Sequence, residues 1–383
     1  MESNKDWHAV LPKRVMEARE AAGLTLSEAA NLLDFRNYQT LSSIEKGTRR
    51  ITAHELSIMA DVYGRALSYF FEPEVPPDPT PLWRKKPEAN VTQIKRRFLS
   101  FLENYSNLEK LLELKKRWKD IQKNYTKADF YERDFQLVQQ IGSDIRNCLD
   151  LGAKPALNLR NALENVLRVK VLHLRLPDGV SGASVVDNTL GVGILINAND
   201  APWRRNFDLA HELFHIVTWN VFSHKEVGDG ITKTKPEQYA DAFASSLLLP
   251  KEPLLNSLQE VRIGNQIKLV DIIELAKEYG VSTAAILWRL VNLGQILEPE
   301  VKRILDDPKL SQIDRALRQG LSYTGKPSRF PERYVFLACR CLLEGKISRG
   351  IFADYLEIDR SEVDDFLKRQ GFLEETHEEI ATA

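Results

Sequence analysis

The chain has 383 residues, room for two to four domains at roughly 100 to 200 residues each. Hydrophobic residues make up 43% and charged residues 28%, a globular balance that excludes disordered, collagen-like and membrane classes. The 53 basic and 54 acidic residues leave a net charge of -1, so any attraction to nucleic acid or membrane must be local. Cys148, Cys339 and Cys341 form no CxxC, which argues against a disulfide framework and a cysteine zinc site. A polar N-terminus and the lack of an apolar run of about 18 residues predict a cytoplasmic protein with no membrane partner.

Residues 10–71 read as five short helices: 10–22, 27–33, 38–46, 53–63 and 66–71. Thr25 with Glu28, and Thr52 with Glu55, have the spacing of capping boxes that start helices, while Gly23, Gly47 and Gly64 stand where helices should stop. The second and third segments have the dimensions of a helix-turn-helix, whose second helix enters the major groove of DNA. Tyr38, Gln39, Thr40 and Ser43 would face the bases, with Gln39 suited to an adenine, and Lys46, Arg49 and Arg50 suit phosphates.

Residues 18–25 (Ala18-Arg-Glu-Ala-Ala-Gly-Leu-Thr25) and 41–47 (Leu41-Ser-Ser-Ile-Glu-Lys-Gly47) resemble the lambda-repressor-like, XRE-type helix-turn-helix family. The resemblance implies binding to double-stranded DNA. Leu26 replaces a frequent glutamine, and the turn is one residue longer than usual.

Five of the 17 prolines fall in residues 73–81 and predict an extended spacer after a first domain of residues 1–72. Residues 84–123 hold twelve Lys or Arg against five Asp or Glu, with leucines at helical spacing, and predict one long amphipathic helix with a solvated basic face. This spacer and helix make up a connector, 73–134. Beyond it the pattern mixes α and β: a helix at 155–167, strands at 170–174 and 191–196, then helices at 203–220, 235–249, 269–279 and 283–293. A helical extension, 296–383, contains a helix pair at 347–356 and 361–369 and ends in an acidic tail, 374–379.

The most specific signal is His211-Glu-Leu-Phe-His215, inside an apolar-periodic helix. Residues four apart share a face, so both imidazoles can point at one ion, and Glu212 sits beside them as general base. His54-Glu55-Leu-Ser-Ile58 begins like the same motif but lacks the second histidine.

A catalytic zinc needs three protein ligands and an open position. The metzincin pattern fails, because Val221 and Thr218 stand where its third histidine and glycine belong. The gluzincin pattern fits Glu237-Gln-Tyr-Ala-Asp241, 22 residues after His215, with Glu237 as the ligand and Asp241 accepting the outer N–H of a ligand histidine. His224, in a charged glycine-rich loop, is the rival ligand. No spacing marks an oxyanion donor, although Tyr239 and His224 are available.

Residues 204–215 (Arg204-Arg-Asn-Phe-Asp-Leu-Ala-His-Glu-Leu-Phe-His215) and 237–250, from Glu237-Gln-Tyr-Ala-Asp241 to Pro250, resemble the ImmA/IrrE metallopeptidases over about residues 135–295. Phe214 replaces a frequent glycine and would narrow the cleft, and Leu249 a frequent methionine. The resemblance implies an endopeptidase with one Zn2+ per chain that cuts a repressor or another partner protein in a stress, phage-defence or mobile-element response.

The expected fold is mainly α with a small β-sheet: a five-helix DNA-binding domain, a gluzincin-like zinc peptidase domain and a helical C-terminal extension. A homodimer is an open option. The competing reading is a transcriptional repressor or antitoxin-like protein whose peptidase fold is a non-catalytic sensor or binding module.

Overall fold

The computed structural model describes residues 7–65, 67–71, 81–83, 92–121, 125–222, 224–227, 234–264, 266–318 and 327–372. The acidic tail, most of the proline spacer and residues 84–91 of the basic stretch lie outside them. The fold is mostly helical with one small mixed sheet, and the chain divides into two compact units. No helix among the described residues is long and apolar enough to cross a membrane.

The first unit comprises residues 1–81 and 88–103. Helices α1 (Trp7–Ala21), α2 (Leu26–Leu32), α3 (Tyr38–Glu45) and α4 (Ala53–Tyr63) enclose a core of Val15, Ala18, Leu41, Ile44, Met59, Tyr63 and Phe70. Both expected capping boxes form, with Thr25 and Thr52 as N-caps, and Gly23, Gly47 and Gly64 take positive φ at the stops. The fifth segment is a 3-10 turn, Leu67–Phe71, rather than an α-helix. Arg19 joins the two repressor-like segments: its Nε and Nη2 donate to Glu45 Oε1 and Oε2 at 2.6 and 3.0 Å, and its Nη1 to the Leu24 carbonyl.

The basic stretch is not one long helix. It forms α5 (Thr92–Leu111) and, after a break with positive φ at Glu113, a 3-10 turn, Trp118–Ile121. Nor is its basic face uniformly solvated. Within the first unit Arg96 donates to the carbonyls of Ala22 and Val62, closing the ends of α1 and α4, and Arg65 pairs with Glu103 at 2.9 Å.

The second unit takes residues 82–87 and 104–383. Its sheet has strand order β1-β3-β4-β2, with β1 (Leu82–Trp83), β2 (Lys170–Leu174), β3 (Gly182–Asp187) and β4 (Gly191–Asn197). β2 runs parallel to β4, and β3 is antiparallel to both β4 and β1. The sequence pattern anticipated β2 and β4 but neither β1 nor β3. The β3–β4 turn is built on Asp187, whose Oδ1 accepts the amides of Thr189 and Leu190, both at 2.7 Å.

The helices are α6 (Lys127–Cys148), α7 (Leu159–Asn165), α8 (Pro202–Val217), α9 (His224–Val227), α10 (Lys235–Leu248), α11 (Lys251–Val261), α12 (Leu269–Glu278) and α13 (Thr283–Asn292). They are followed by α14 (Glu298–Asp306), α15 (Pro308–Arg318), α16 (Glu332–Leu343), α17 (Arg349–Leu356) and α18 (Val363–Arg369). The core of this unit collects the apolar faces of α6, α8 and α10, the inner face of the sheet, and Ile272, Leu275, Ile286 and Leu290 from α12 and α13. α8 therefore lies between the sheet and α10, and the residues in its middle are buried on all sides.

Candidate metal centre and nucleic-acid interface

α8 opens at Pro202, which tolerates the first helical position because no intrahelical acceptor is needed there. Asn206 anchors it by donating to the Gly280 carbonyl at 2.9 Å, and the Thr218 hydroxyl closes it by donating to the Phe214 carbonyl. The motif runs into the last turn of α8, where His215 lies. His211 and Glu212 are 0% exposed and His215 is 3% exposed.

α10 runs beside α8 and brings Glu237, 7% exposed, onto the same point. The two Nε2 atoms of His211 and His215 are 3.2 Å apart. Glu237 Oε2 is 3.2 Å from His211 Nε2, and its Oε1 is 3.1 Å from His215 Nε2. Asp241, one turn along α10, has Oδ1 2.8 Å from His211 Nδ1.

These atoms fit a metal on two grounds. A tetrahedral ion with Zn–N of about 2.0–2.1 Å requires ligand atoms about 3.3–3.4 Å apart, close to the observed triangle. A carboxylate can only accept, so Asp241 fixes the proton of His211 on Nδ1 and leaves the Nε2 lone pair facing Glu237 and His215. Lone pairs converging in a buried space call for a cation.

Glu212 follows His211 in sequence and lies against β3. A Cβ at Gly182 would stand 3.2 Å from Glu212 Oε1 and 3.4 Å from its Cγ. An added side chain would crowd the carboxylate by a few tenths of an ångström and would meet the Leu195 carbonyl oxygen at 2.9 Å, a constraint invisible in the sequence pattern.

Two expectations change. Phe214 does not narrow an opening: it is 0% exposed, with its ring 5.6–6.4 Å from those of Phe130, Phe222 and Phe243 and 5.9 Å from that of His215. Tyr239, two residues from both Glu237 and Asp241 and so on the opposite side of α10, points into the same aromatic cluster, and its hydroxyl donates to Asp134 at 2.7 Å. That bond occupies the hydroxyl, so Tyr239 is no oxyanion donor in this arrangement. His224 opens α9, but its side chain lies outside the described residues.

In the first unit, Tyr38, Gln39, Lys46, Arg49 and Arg50 are exposed on α3 and the loop after it, while Thr40 and Ser43 are half-buried. Several of these groups have internal partners. Asn37 caps α3 by accepting the Thr40 amide and hydroxyl, Ser43 donates to the Gln39 carbonyl at 2.8 Å, and Arg49 pairs with Glu55 at 2.7 Å. Arg49 thus also holds the capping residue of α4. The turn between α2 and α3, residues 33–37, contains Asp34 at φ 55°.

Residues 165–291 match the IrrE N-terminal-like domain, a peptidase family. Residues 15–70 match a helix-turn-helix family. The chain therefore carries a helix-turn-helix domain followed by an IrrE-type peptidase domain, and the HExxH helix, Glu237 and Asp241 all fall inside the second match. Neither match reaches the helices after residue 291. No curated protein and no solved structure matches the chain.

Proposed function

We propose that the chain is a DNA-binding regulator whose second unit is a zinc-dependent endopeptidase acting on a partner protein, a repressor being the leading class. The observation that carries this reading is the buried triangle of His211, His215 and Glu237, with Glu212 beside it and Asp241 behind it. His211, His215 and Glu237 would hold one Zn2+ per chain. Bound there, zinc supplies Lewis acidity to a water and to the scissile carbonyl.

The remaining chemistry falls to the chain. Asp241 keeps the His211 proton on Nδ1 and so keeps Nε2 available as a donor atom. Glu212, packed against Gly182 and shielded from solvent, accepts the proton of the attacking water and returns it to the leaving amine. The aromatic cluster around Phe214 backs His215 and limits the motion of its ring. In the first unit, α3 presents Tyr38 and Gln39 to the major groove, and Lys46 and Arg50 approach phosphates. Both activities suit a cytoplasmic protein.

The deciding experiment compares parent, Glu212→Gln and Glu237→Ala for zinc content and for cleavage of a quenched-fluorescent peptide library. The parent should carry about one zinc per chain. Glu212→Gln should retain zinc and lose cleavage by about 10²- to 10⁴-fold, whereas Glu237→Ala should lose both. Full zinc in Glu237→Ala with loss in His224→Ala would overturn the ligand assignment, and undiminished cleavage by Glu212→Gln would overturn the role of the base.

A further inference from the structure

The parallel neighbours β2 and β4 end side by side, with Leu174 opposite Asn197. The chain leaving β4 is tied back to β2, because the Ala198 amide donates to the Leu174 carbonyl at 2.8 Å. Arg205, in the first turn of α8, braces the same loop: its Nη1 donates to the carbonyls of Ala198 and Asp200 at 3.4 and 2.9 Å. α7 packs against both β2 and α8 and carries Arg160, whose Nε donates to Glu164 at 3.0 Å. His173 stands next to the end of β2. Strand alternation puts it on the face shared by Val171, which packs into the core with Leu159 and Leu163 of α7 and Leu209 of α8.

This corner is built for negative charge. Burial, then Arg160 and Arg205, hold the pKa of His173 down at about 3, and Arg160 acts on Arg205 as well, so the three side chains share one electropositive neighbourhood. Two acids border it. Glu164 engages Arg160 through Nε, and Asp200 offsets only part of what burial and Arg160 do to Arg205. His173 is 8% exposed, and its Nδ1 is buried with no hydrogen-bond partner among the described residues, an arrangement that costs free energy until a ligand or water meets it. Arg160 Nη1 and Nη2 and Arg205 Nε and Nη2 likewise make no hydrogen bond among the described residues. α8 begins without a side-chain cap and with no acid in its first turn, where it carries Arg204 and Arg205 instead. Cations at that end oppose the helix dipole, and an anion relieves both.

We propose that Arg160, His173 and Arg205 form a binding site for a phosphate group, supplied either as inorganic phosphate or as the monoester of a small metabolite. Donors arriving from three elements suit a tetrahedral oxyanion better than a planar carboxylate, and guanidinium forks match phosphate oxygens. The neutral imidazole, with its proton on Nδ1, donates the third bond. The site uses no residue of the metal centre, goes beyond the peptidase reading and does not depend on it.

The test uses the full chain with its seven histidines labelled with nitrogen-15. The imidazole resonance of His173, identified by its loss in His173→Gln, reports this corner alone, so phosphate bound elsewhere on the chain does not enter. Inorganic phosphate and glycerol 3-phosphate are titrated in turn, with acetate as the planar control. At least one phosphate probe should shift the resonance saturably, while acetate at the same concentrations should not. Arg160→Gln and Arg205→Gln should each weaken binding by about tenfold, the loss of one charge-assisted contact. Arg175→Gln, at an exposed position just past β2, and Lys46→Ala/Arg50→Ala, in the first unit, should bind as the parent does. Tighter saturation by the ester supports the site with a phosphorylated metabolite as its ligand, and equal or weaker saturation supports it with inorganic phosphate. No saturable shift with either probe, an equal shift with acetate, or parental affinity in the Arg160 and Arg205 variants overturns the proposal. Should Arg205→Gln fail to fold for want of its brace on the loop, Arg160→Gln decides, because that side chain is 35% exposed and bonds only within its own helix.

Discussion

Replacing Gly182 by alanine probes how tightly the sheet and the proposed base are fitted together. The added methyl carbon would lie 2.9 Å from the Leu195 carbonyl oxygen on β4, and 3.2 Å from Glu212 Oε1. Ordinary carbon–oxygen approaches are about 3.3–3.6 Å, so the first contact is several tenths of an ångström too short, and its partner is backbone that cannot rotate away. Overpacking of this kind costs about 1–3 kcal/mol. In a unit of this size that lowers Tm by about 2–12 °C. Part of the strain can be relieved by moving Glu212, and a displacement of about 1 Å costs about 10²-fold in rate, so a few tenths should lower kcat/KM by about tenfold. Zinc content should stay at the parental level, because the metal ligands lie on α8 and α10 rather than on β3. Thermal melting, zinc analysis and peptide hydrolysis on the same preparation check all three. A Tm within about 1 °C of the parent together with unchanged kcat/KM would refute the fit inferred here.

Asp241→Asn should weaken zinc binding about 10- to 100-fold in a chelator competition, because the amide no longer enforces the Nδ1 proton of His211; an unchanged affinity would remove Asp241 from the site. His173, buried on β2, has its pKa lowered to about 3 by burial and by Arg160 and Arg205. The unfolded chain, with a pKa near 6.5, therefore takes up a proton that the folded one refuses, so this contribution is full above about pH 6.5 and is lost as pH falls toward 3. At 1.36 kcal/mol per unit it amounts to about 4–5 kcal/mol at most, and His173→Leu should flatten the melting profile over that range. Gln39→Ala should lose about 1–3 kcal/mol of discrimination between a selected duplex and random DNA. Arg50→Ala should weaken both equally and reduce the salt slope by about one. Arg49→Ala should in addition lower the Tm of the first unit, since its partner Glu55 caps α4; fluorescence titrations at several salt concentrations and a melt separate the three.

Local signals located most of the helices and the histidine pair because each depends on residues close in sequence. Thr25 and Glu28 satisfy each other's backbone within one turn, so their spacing alone marks the start of α2. His211 and His215 share a face for the same reason. β1 has only two residues, too few to show any alternation, and exists because β3 offers an edge to it. β3, Gly182-Ala-Ser-Val-Val-Asp187, opens with three small residues where alternation would be read, and the first of them, Gly182, packs against Glu212. The start of α6 was legible but passed over: Thr126 and Asp129 form a capping box like the two in the first unit. Arg96 looks like one basic residue among many until its partners, the carbonyls of Ala22 and Val62, are known. It follows that cutting after residue 81 would strip residues 88–103 of the rest of their compact unit, so removal of the DNA-binding domain calls for a boundary beyond 103.

α10 explains why the candidate centre cannot be treated apart from the core. Glu237 and Asp241, one turn apart, face α8, while Tyr239 between them and Phe243 beyond them pack with Phe130 and Phe214. A rotation of α10 that moved Glu237 away from the histidines would have to pull Tyr239 out of this cluster and break its hydrogen bond to Asp134. The ligand geometry is thus held by aromatic packing on the opposite side of the same helix. α8 is built in the same way, with His211 and His215 on one side and Phe214 and Leu213 buried on others. Shrinking Phe214 would leave a cavity behind His215 instead of a wider cleft, and its first effect would fall on the position of that imidazole.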